Sequence, residues 1–142
     1  MLAQWILMVA TSVAAPLWPD GWPGWWSRVA AVVLLVVGAV FGIAGAVVLG
    51  SSRTIFPEPQ PKAKLVRTGV YAIVRHPLYT CVILLSFAWA LWWRSLPGLV
   101  PAGLTMAFLD AKARAEEERL RARFLDYQGY AKRVKRLVPW IY

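Results

Sequence analysis

The sequence predicts an all-α integral membrane protein with about four transmembrane helices and a cytoplasmic helical segment at its C-terminal end. Three properties lead to this prediction: 59% of the 142 residues are apolar, tryptophan occurs nine times, and the mean hydropathy is +0.53. Values of this kind lie outside the range of soluble globular domains and are typical of membrane proteins. We expect a single domain over residues 1–142, divided into an N-terminal helical hairpin (residues 1–50) and a core (residues 51–142).

The N-terminal hairpin is predicted from two apolar runs. Residues 2–18 form a short run, and residues 29–50 form the clearest spanning helix, because a bilayer requires about 20 apolar residues. The residues between them are rich in tryptophan, proline and glycine, which favours a turn at the membrane–water boundary. Small residues recur at four-residue spacing in the second run, at Gly38, Gly42 and Ala46, with Gly45 nearby. We therefore expect a neighbouring helix to pack closely against them.

The core is predicted to begin with a polar, proline-rich loop over residues 51–75. Two further apolar runs, residues 78–93 and 96–111, are short for straight spans. A charged helix from residue 112 to about residue 125 continues the last run out of the membrane. Because basic residues concentrate in the loop and after the last run, four spans with both termini in the cytoplasm satisfy the positive-inside rule. The loop and the C-terminal segment then lie at the same face of the membrane.

The charge and the rare residue types restrict the partners. The net charge of +9 is compatible with nucleic-acid binding, but the basic residues flank apolar segments and form no separate basic domain. We therefore expect the anionic lipids of the cytoplasmic leaflet as a partner, and no nucleic acid. His76 and Cys81 are each the only residue of their type, so no metal site and no internal disulfide are expected.

The sequence Arg75-His76-Pro77 opens the first apolar run of the core. Proline suits the first position of a helix, because its missing N–H would have been unpaired there anyway. His76 is then the expected cap, at the positive end of the helix dipole, where Arg75 strengthens the attraction for an anionic group. The ordinary interpretation is that Arg75 snorkels at the membrane edge and that His76 only caps the helix. These residues alone leave both interpretations open.

A glutamate pair on the charged helix departs from the pattern of a solvated surface. At about 100° per residue, Glu116 falls on the apolar face of this helix, with Glu117 at the edge of that face. The apolar residues of the face are Leu109, Ala113, Leu120, Phe124 and Tyr127. A carboxylate that faces a packed surface needs a cation or several donors to offset its desolvation. Either a structural arginine or a bound cationic ligand meets that need.

Three segments resemble one family of membrane enzymes. They are LVRTGVYAIVRHPLY (residues 65–79), AEEERLRARF (residues 115–124) and YQGYAKRVKRLVP (residues 127–139). In this order they resemble the isoprenylcysteine carboxyl methyltransferase family, whose relatives include the phospholipid N-methyltransferases. The resemblance covers roughly residues 53–139 and implies an integral membrane methyltransferase that uses S-adenosylmethionine.

The resemblance also implies where the cofactor and the acceptor bind. The cofactor would lie between the loop and the C-terminal helices, in contact with Lys64, Leu65, Val66, Tyr71, His76, Pro77, Leu78, Tyr79, Glu116 and Glu117. Lys112 occupies the position of a substrate-side arginine in the family, and Arg114 could substitute for it from a neighbouring face. We expect Arg75 and His76 to suit the cofactor carboxylate, and Glu116 to suit its ammonium group or ribose hydroxyls. The residues predicted to act on the reacting groups are thus Arg75, His76, Lys112 and Arg114.

Two departures from the family pattern bear on these expectations. Cys81 stands where the family usually has glycine, two residues after the tyrosine of His-Pro-x-Tyr, and we expect it to alter packing. Lys112 lacks the two-pronged carboxylate grip of an arginine, so the acceptor is left open.

The sequence supports several hypotheses on function. The leading one is methylation of a lipophilic acceptor that enters from the bilayer, and carboxyl methylation of a prenylated cysteine is the reaction that the resemblance implies. A phospholipid amine, a small thiol or a small carboxylate stays open as the acceptor. A second enzyme hypothesis is a reductase of the steroid-reductase type, whose membrane core resembles this family but uses NADPH. A third is a non-enzymatic membrane scaffold whose basic tail holds anionic lipid through Lys132, Arg133, Lys135 and Arg136.

Overall fold

The computed structural model describes residues 2–19, 24–50, 65–139 and 141–142. The elements in chain order are α1 (Leu2–Leu17), α2 (Trp26–Gly50), a 3₁₀ turn (Gly69–Ala72), α3 (Pro77–Trp92), α4 (Leu96–Arg123) and α5 (Tyr127–Arg133). Across these ranges there is no β-strand, and one isolated parallel bridge pairs Val74 with Lys135. The all-α prediction is therefore confirmed for the described part of the chain.

α1 and α4 run antiparallel and pack against each other. At one end of the pair, a Cβ atom added to Gly98 of α4 would lie 2.9 Å from the Cβ atom of Ala15 in α1. At the other end, Lys112 of α4 donates a hydrogen bond to Gln4 of α1. α1 therefore contacts α4 near both of its ends.

α2 packs on α3 through a row of glycines. A Cβ atom added to Gly38 or Gly42 would lie within 3.1 Å of an α3 side chain, which confirms the predicted close packing at these two positions. The prediction for Ala46 is wrong, because Ala46 is exposed and Gly45 instead meets Pro77 of α3. Successive four-residue steps drift by about 40° around a helix, so Gly45 lies closer to the contact face than Ala46 does.

Cys81 lies in this same helix interface. A Cβ atom added to Gly42 would lie 2.6 Å from Cys81 Sγ, which is closer than packed atoms approach. The sulfur therefore fills the space that a side chain at Gly42 would need. A glycine on the facing helix thus makes room for Cys81 at a position where the family usually has glycine.

α2 is the one helix in the described ranges that is long and apolar enough by itself to cross a membrane. It has 25 residues, and only 11% of its most apolar window is buried within the protein. α1 and α3 are apolar helices of 16 residues each, which corresponds to about 24 Å at 1.5 Å per residue. The hydrocarbon layer is about 30 Å thick. Length therefore supports one of the four predicted spans directly, and the other three stay a prediction.

α3 and α4 lie close to their predicted positions. α3 begins at Pro77, with His76 as its cap and proline in its first turn. α4 runs unbroken from the last apolar run into the predicted charged helix and ends at Arg123, about two residues earlier than predicted. The first part of the predicted loop, residues 51–64, lies outside the described residues, and so does the predicted cofactor residue Lys64.

Candidate active site

The C-terminal segment lies beside the loop that precedes α3. Arg75 N donates a hydrogen bond to Lys135 O at 2.8 Å, and His76 N donates to Arg136 O at 3.1 Å. The His76 side chain makes no capping hydrogen bond, so its ring is available to face α4. These backbone pairs bring the side chains of Arg75, His76 and Arg136 to one end of the helix bundle.

Glu117 is the centre of a buried ion cluster at this end. Its side chain is 1% exposed, and its carboxylate accepts hydrogen bonds from Arg136 Nε at 3.0 Å and from a terminal nitrogen of the same guanidinium at 3.3 Å. The Arg75 guanidinium lies 3.0 Å from Glu117 Oε1, and His76 Nε2 lies 3.4 Å from the same oxygen. Arg136 also donates to Asp110 at 3.1 Å. Arg121, which is more exposed, lies 3.6 Å from the other carboxylate oxygen. Three arginines and an imidazole thus surround one buried carboxylate, the arrangement that a buried charge requires.

These contacts keep Glu117 ionised. Burial by itself raises the pKa of Glu117, but the contacts with His76, Arg136 and Arg75 outweigh burial and lower the pKa from 4.5 to about 2. The pKa of Arg136 is raised above its ordinary value, chiefly by its hydrogen bond to Glu117. Because both groups stay charged at neutral pH, the cluster is suited to holding the structure together and not to exchanging protons.

The ion cluster corrects the prediction for the glutamate pair. The sequence predicts Glu116 on the buried face and Glu117 at its edge, whereas Glu117 is buried and the Glu116 side chain is 38% exposed. The buried line along this part of α4 consists of Leu109, Ala113 and Glu117, at four-residue steps that drift around the helix by about 40° each. Arg121 of α4 lies 3.6 Å from Glu117, but the two closest cations, Arg75 and Arg136, come from outside α4, so the periodicity of one helix does not reveal them.

Glu116 belongs to a second polar group on the neighbouring face of α4. The Tyr79 hydroxyl donates to Glu116 Oε1 at 2.6 Å, and His76 Nδ1 lies 3.8 Å from Glu116 Oε2. The rings of His76 and Tyr79 stack with their centres 5.3 Å apart and their planes 5° from parallel. An imidazole, a phenol and a carboxylate are therefore held in fixed positions beside each other.

A cavity of about 310 Å³ opens beside Glu116. Its lining residues are Leu49, Leu65, Val66, Tyr71, Arg75, His76, Glu116, Leu120, Arg123, Phe124, Tyr127 and Tyr130. The volume is within the range of about 300–1,000 Å³ that is usual for small-molecule sites, and the mixture of apolar and aromatic walls with a few polar groups is typical of them. His76 and Glu116 therefore meet at one cavity, as the sequence predicts.

Unpaired polar atoms concentrate at this cavity. Among the described residues, four buried side-chain nitrogen or oxygen atoms have no hydrogen-bond partner, and three of them belong to cavity residues: Arg75 Nε, His76 Nε2 and Tyr127 Oη. Burial, together with the negative charge of Glu117, raises the pKa of Tyr127 to about 12, so its hydroxyl keeps its proton at neutral pH. An unpaired buried polar group costs about 1–3 kcal/mol. All three atoms are themselves inaccessible to solvent, and His76 Nε2 faces Glu117 at 3.4 Å, so they lie behind the cavity surface.

The predicted cofactor residues divide into a cavity set and a supporting set. The cavity set is Leu65, Val66, Tyr71, His76 and Glu116. Pro77 and Leu78 pack against Gly45 of α2, so they hold the start of α3 in place without lining the cavity. Tyr79 supports the cavity wall through its hydrogen bond, and Glu117 lies in the ion cluster behind it.

The residues predicted to act on the reacting groups are not all brought together. Arg75 and His76 line the cavity. Lys112 lies outside this lining and contacts α1 through a hydrogen bond of 3.3 Å. Arg114 is exposed and pairs with Asp110 at 2.8 Å, so the structure does not bring it to the cavity.

Several residues of the site have no counterpart in the predictions. The additional lining residues are Leu49, Leu120, Arg123, Phe124, Tyr127 and Tyr130. Tyr127 and Tyr130 belong to the Tyr-x-x-Tyr pattern of the third family-like segment, which was a usable signal. Arg136, the two-pronged partner of Glu117, carries no such signal, because nothing in the sequence distinguishes it from its exposed neighbour Lys135.

The fold and the site together define a class of protein. The helices expose large apolar side chains over much of their outer surface, one of them is long enough to cross a membrane, and a partly polar cavity lies at one end of the bundle. These are the properties of a small membrane-associated protein with a small-molecule cavity.

Comparison with protein-family models identifies the family. The phospholipid methyltransferase model matches residues 26–126, which is well over half of the chain. The chain therefore belongs to this family of membrane methyltransferases, and the predicted resemblance to it is confirmed. The first two family-like segments lie within the match, whereas the third, residues 127–139, follows it. Methyltransferases of this family typically use S-adenosylmethionine. Comparison with curated proteins and with solved structures returned no match.

Proposed function

We propose that the chain is an S-adenosylmethionine-dependent integral membrane methyltransferase of the isoprenylcysteine carboxyl methyltransferase type, which acts on a lipophilic acceptor. The observation that carries the proposal is the meeting of His76, Tyr79 and Glu116 at one side of a cavity whose other walls are largely apolar or aromatic. Family membership supports the reaction class, and the cavity is where we place the reaction.

The residues at the cavity fit the chemistry of the cofactor. S-adenosylmethionine carries a sulfonium, an ammonium and a carboxylate, and when bound it supplies an electrophilic methyl group. Glu116, which is partly open to the cavity, suits the ammonium or the ribose hydroxyls. The rings of Tyr71 and Phe124 suit a cationic sulfur. Arg75 and Arg123 also line the cavity, and a guanidinium suits the carboxylate.

The contribution of the chain to catalysis is alignment of the reactants and exclusion of water. Leu49, Leu65 and Leu120 form the apolar part of the cavity wall. In such a low-dielectric site, the opposite charges of an anionic acceptor and a sulfonium are poorly solvated, so a reaction that neutralises both is favoured. For an amine acceptor, His76 and Glu116 are the cavity groups suited to taking up a proton.

We further propose four spans with the cavity at the cytoplasmic face. Lys132, Arg133 and Lys135 are exposed on α5 and after it, beside the cavity end of the bundle. This arrangement agrees with the positive-inside rule and with anionic lipid as a partner. Arg136, which the sequence assigns to the same lipid-binding tail, is engaged with Glu117 instead, so the exposed tail has three basic residues and not four.

The proposal is tested by calorimetric titration of S-adenosylmethionine into the purified protein in maltoside detergent. We expect saturable binding to the wild type. The dissociation constant is expected to rise about tenfold or more for Glu116→Gln, because the charged hydrogen-bond acceptor is lost. His76→Ala is also expected to weaken binding, since it removes one cavity wall and the ring that stacks on Tyr79.

The matched control is Glu118→Gln, which removes an exposed carboxylate of the same helix and is expected to keep the wild-type constant. Absence of binding heat in the wild type would contradict the proposal. Saturable binding of NADPH in place of S-adenosylmethionine would favour the reductase alternative.

A further inference from the structure

An apolar cavity of about 310 Å³ lies between α2 and α3, apart from the candidate active site. Val32 and Leu35 of α2 and Trp92 of α3 line it and are about half-exposed, so it opens onto the outer surface of the bundle. The other lining residues are Ala31, Leu85, Ala88 and Trp89. All of these side chains are aliphatic or aromatic, and we call this cavity the α2–α3 groove.

The α2–α3 groove and the candidate active site lie at opposite ends of α2. Leu49, near the end of α2, lines the active-site cavity, whereas Arg28, in the first turn of α2, lies beside the groove. The helix rises about 30 Å between these two residues at 1.5 Å per residue, which matches the thickness of the hydrocarbon layer. Because α2 is long enough to cross the membrane, the groove opens toward the leaflet that is far from the active site. A molecule bound there is too distant to be the methyl acceptor.

Arg28 places a cation at the outer end of the groove. Its guanidinium lies 5.8 Å from the centre of the Trp92 ring, within the range of a cation–π contact. Arg28 is exposed, and across the described ranges no carboxylate lies at ion-pair distance from it. Its neighbours Trp25 and Trp26 are 78% and 61% exposed, and exposed indoles favour the level of the lipid head groups. A guanidinium at that level matches the geometry of a phosphate, which it binds through two parallel hydrogen bonds.

The groove runs in the direction of a lipid acyl chain. On α2, the distance from Arg28 to the lining residue Leu35 is about 10 Å along the helix at 1.5 Å per residue. On α3, the lining residues from Trp92 to Leu85 cover the same distance. The groove therefore leads from the level of the head groups toward the middle of the membrane, parallel to both helices. A phospholipid whose phosphate lies at Arg28 has this apolar channel directly beneath its head group.

The walls of the groove are held in place by contacts within the protein. Trp89 Nε1 donates a hydrogen bond to Ser12 O of α1 at 3.3 Å, and the rings of Trp89 and Trp93 lie edge to face with their centres 6.0 Å apart. Ala31 and Ala88 are 2% and 3% exposed, and their single methyl groups leave the space above them open. The groove is thus formed before a ligand arrives, which lowers the ordering cost of binding.

We propose that Arg28 and the α2–α3 groove form a binding site for a phospholipid of the leaflet far from the active site. The Arg28 guanidinium binds the phosphate, and one acyl chain lies in the groove against α2 and α3. Because this acyl chain contacts both helices, the bound lipid is a structural partner that joins them. The inference requires only a membrane location and does not rest on the proposed methyl transfer.

The test is native mass spectrometry of the full chain in detergent, with the dissociation constant of the first bound lipid as the readout. The probes are dioleoyl phosphatidylglycerol, dioleoylglycerol, which lacks the phosphate, and glycerophosphoglycerol, which lacks the acyl chains. Arg28→Gln removes the cation, and Ala88→Leu fills the groove. The matched controls make the same changes elsewhere, Arg119→Gln at an exposed position of α4 and Ala46→Leu at an exposed position of α2.

We expect the wild type and both controls to bind dioleoyl phosphatidylglycerol with the same affinity. Arg28→Gln is expected to bind it about tenfold more weakly, because a charge-assisted hydrogen bond to the phosphate is lost. Ala88→Leu is also expected to weaken binding, because the acyl chain loses its space. If Ala88→Leu does not fold, Val32→Trp takes its place, since it narrows the groove from its exposed side. Each truncated probe lacks one half of the recognised molecule and should bind the wild type at least about tenfold more weakly than the intact lipid.

Wild-type affinity in Arg28→Gln or in the groove-filling variant would overturn the inference. Equal weakening in Arg119→Gln would do so too, because it would show an effect of net charge alone, as would dioleoylglycerol binding as tightly as the intact lipid. A lipid-free dimer that Ala88→Leu dissociates would mean that a second copy of the chain occupies the groove instead.

Titration of S-adenosylmethionine into the same proteins separates this inference from the proposed function. The residues that line the groove do not line the active-site cavity, so all of these variants are expected to share one cofactor dissociation constant. Absence of cofactor binding in the wild type counts against the proposed function alone.

Discussion

Two adjacent glutamates on α4 have the same chemistry and opposite surroundings. On one face of the helix, Glu117 is buried among Arg75, Arg136 and an imidazole. On the next face, Glu116 is half-exposed at a cavity and accepts one short hydrogen bond from Tyr79. The comparison teaches a division of roles. The carboxylate with several cationic partners holds the elements together, and the one with open surface is the one that we propose binds the cofactor.

The largest expected effect follows from removing the charge of Glu117. Glu117→Gln leaves Arg75 and Arg136 largely buried without their carboxylate, which costs about 3–5 kcal/mol of unfolding free energy. We expect a large decrease in the melting temperature in detergent, measured by tryptophan fluorescence. Glu118→Gln, at an exposed position of the same helix, should melt like the wild type. Equal melting temperatures for the two variants would show that the ion cluster does not hold the site together.

The same carboxylate predicts a pH dependence. The pKa of Glu117 is about 2 in the folded protein and 4.5 as its ordinary value, so its ionised form is favoured by folding. Its contribution to stability is complete above about pH 4.5 and is lost as the pH falls toward about 2. The difference in melting temperature between the wild type and Glu117→Gln should therefore be constant near neutral pH and shrink on acidification. A difference that grows on acidification would mean that folding raises the pKa of Glu117 and does not lower it.

On the cavity side, Tyr79→Phe is expected to change binding and leave stability nearly unchanged. The variant removes the hydroxyl that donates to Glu116 at 2.6 Å but keeps the ring that stacks on His76. We expect the dissociation constant of S-adenosylmethionine to rise about three- to tenfold, measured by calorimetry. Tyr142→Phe removes a different phenol, which contacts Arg114, Arg136 and Asp110 and not Glu116, and should leave the constant unchanged. A loss of stability in Tyr79→Phe without weaker binding would mean that the Tyr79 hydroxyl supports the fold and not cofactor binding.

The smallest effect is expected at Arg114. Its side chain is exposed and pairs with Asp110 on the surface of α4, and exposed ion pairs contribute little to stability. Arg114→Ala should therefore leave both the melting temperature and the cofactor constant within experimental error. A marked loss of methyl transfer in this variant would restore Arg114 as the acceptor-side residue that the sequence suggests.

Much of the fold is predictable because it is determined by local sequence patterns. The start of α3 follows from the chemistry of Pro77, whose ring suits a first helical turn. The contact between α2 and α3 follows from the spacing of Gly38 and Gly42. Where the prediction fails, at Ala46, it fails because a repeat of four residues does not match the 3.6 residues of a helical turn.

The site is less predictable because its partners are distant in sequence. The helical pattern of α4 predicts that one glutamate of the pair faces inward. It contains no information on Arg75 and Arg136, which come from other segments and determine which carboxylate is buried. The same limit applies to Gln4, which is an ordinary polar residue in the sequence until the fold brings it to Lys112. Local periodicity thus locates the helices, and the charge partners between them require the tertiary structure.

The C-terminal segment pairs through its backbone with the loop before α3, yet among the described residues it supplies none of the cavity lining, whose last member in the chain is Tyr130. A chain shortened after Arg133 would therefore keep every lining side chain. It would lose the two-pronged partner of Glu117, so the geometry of the site depends on a segment that does not line it.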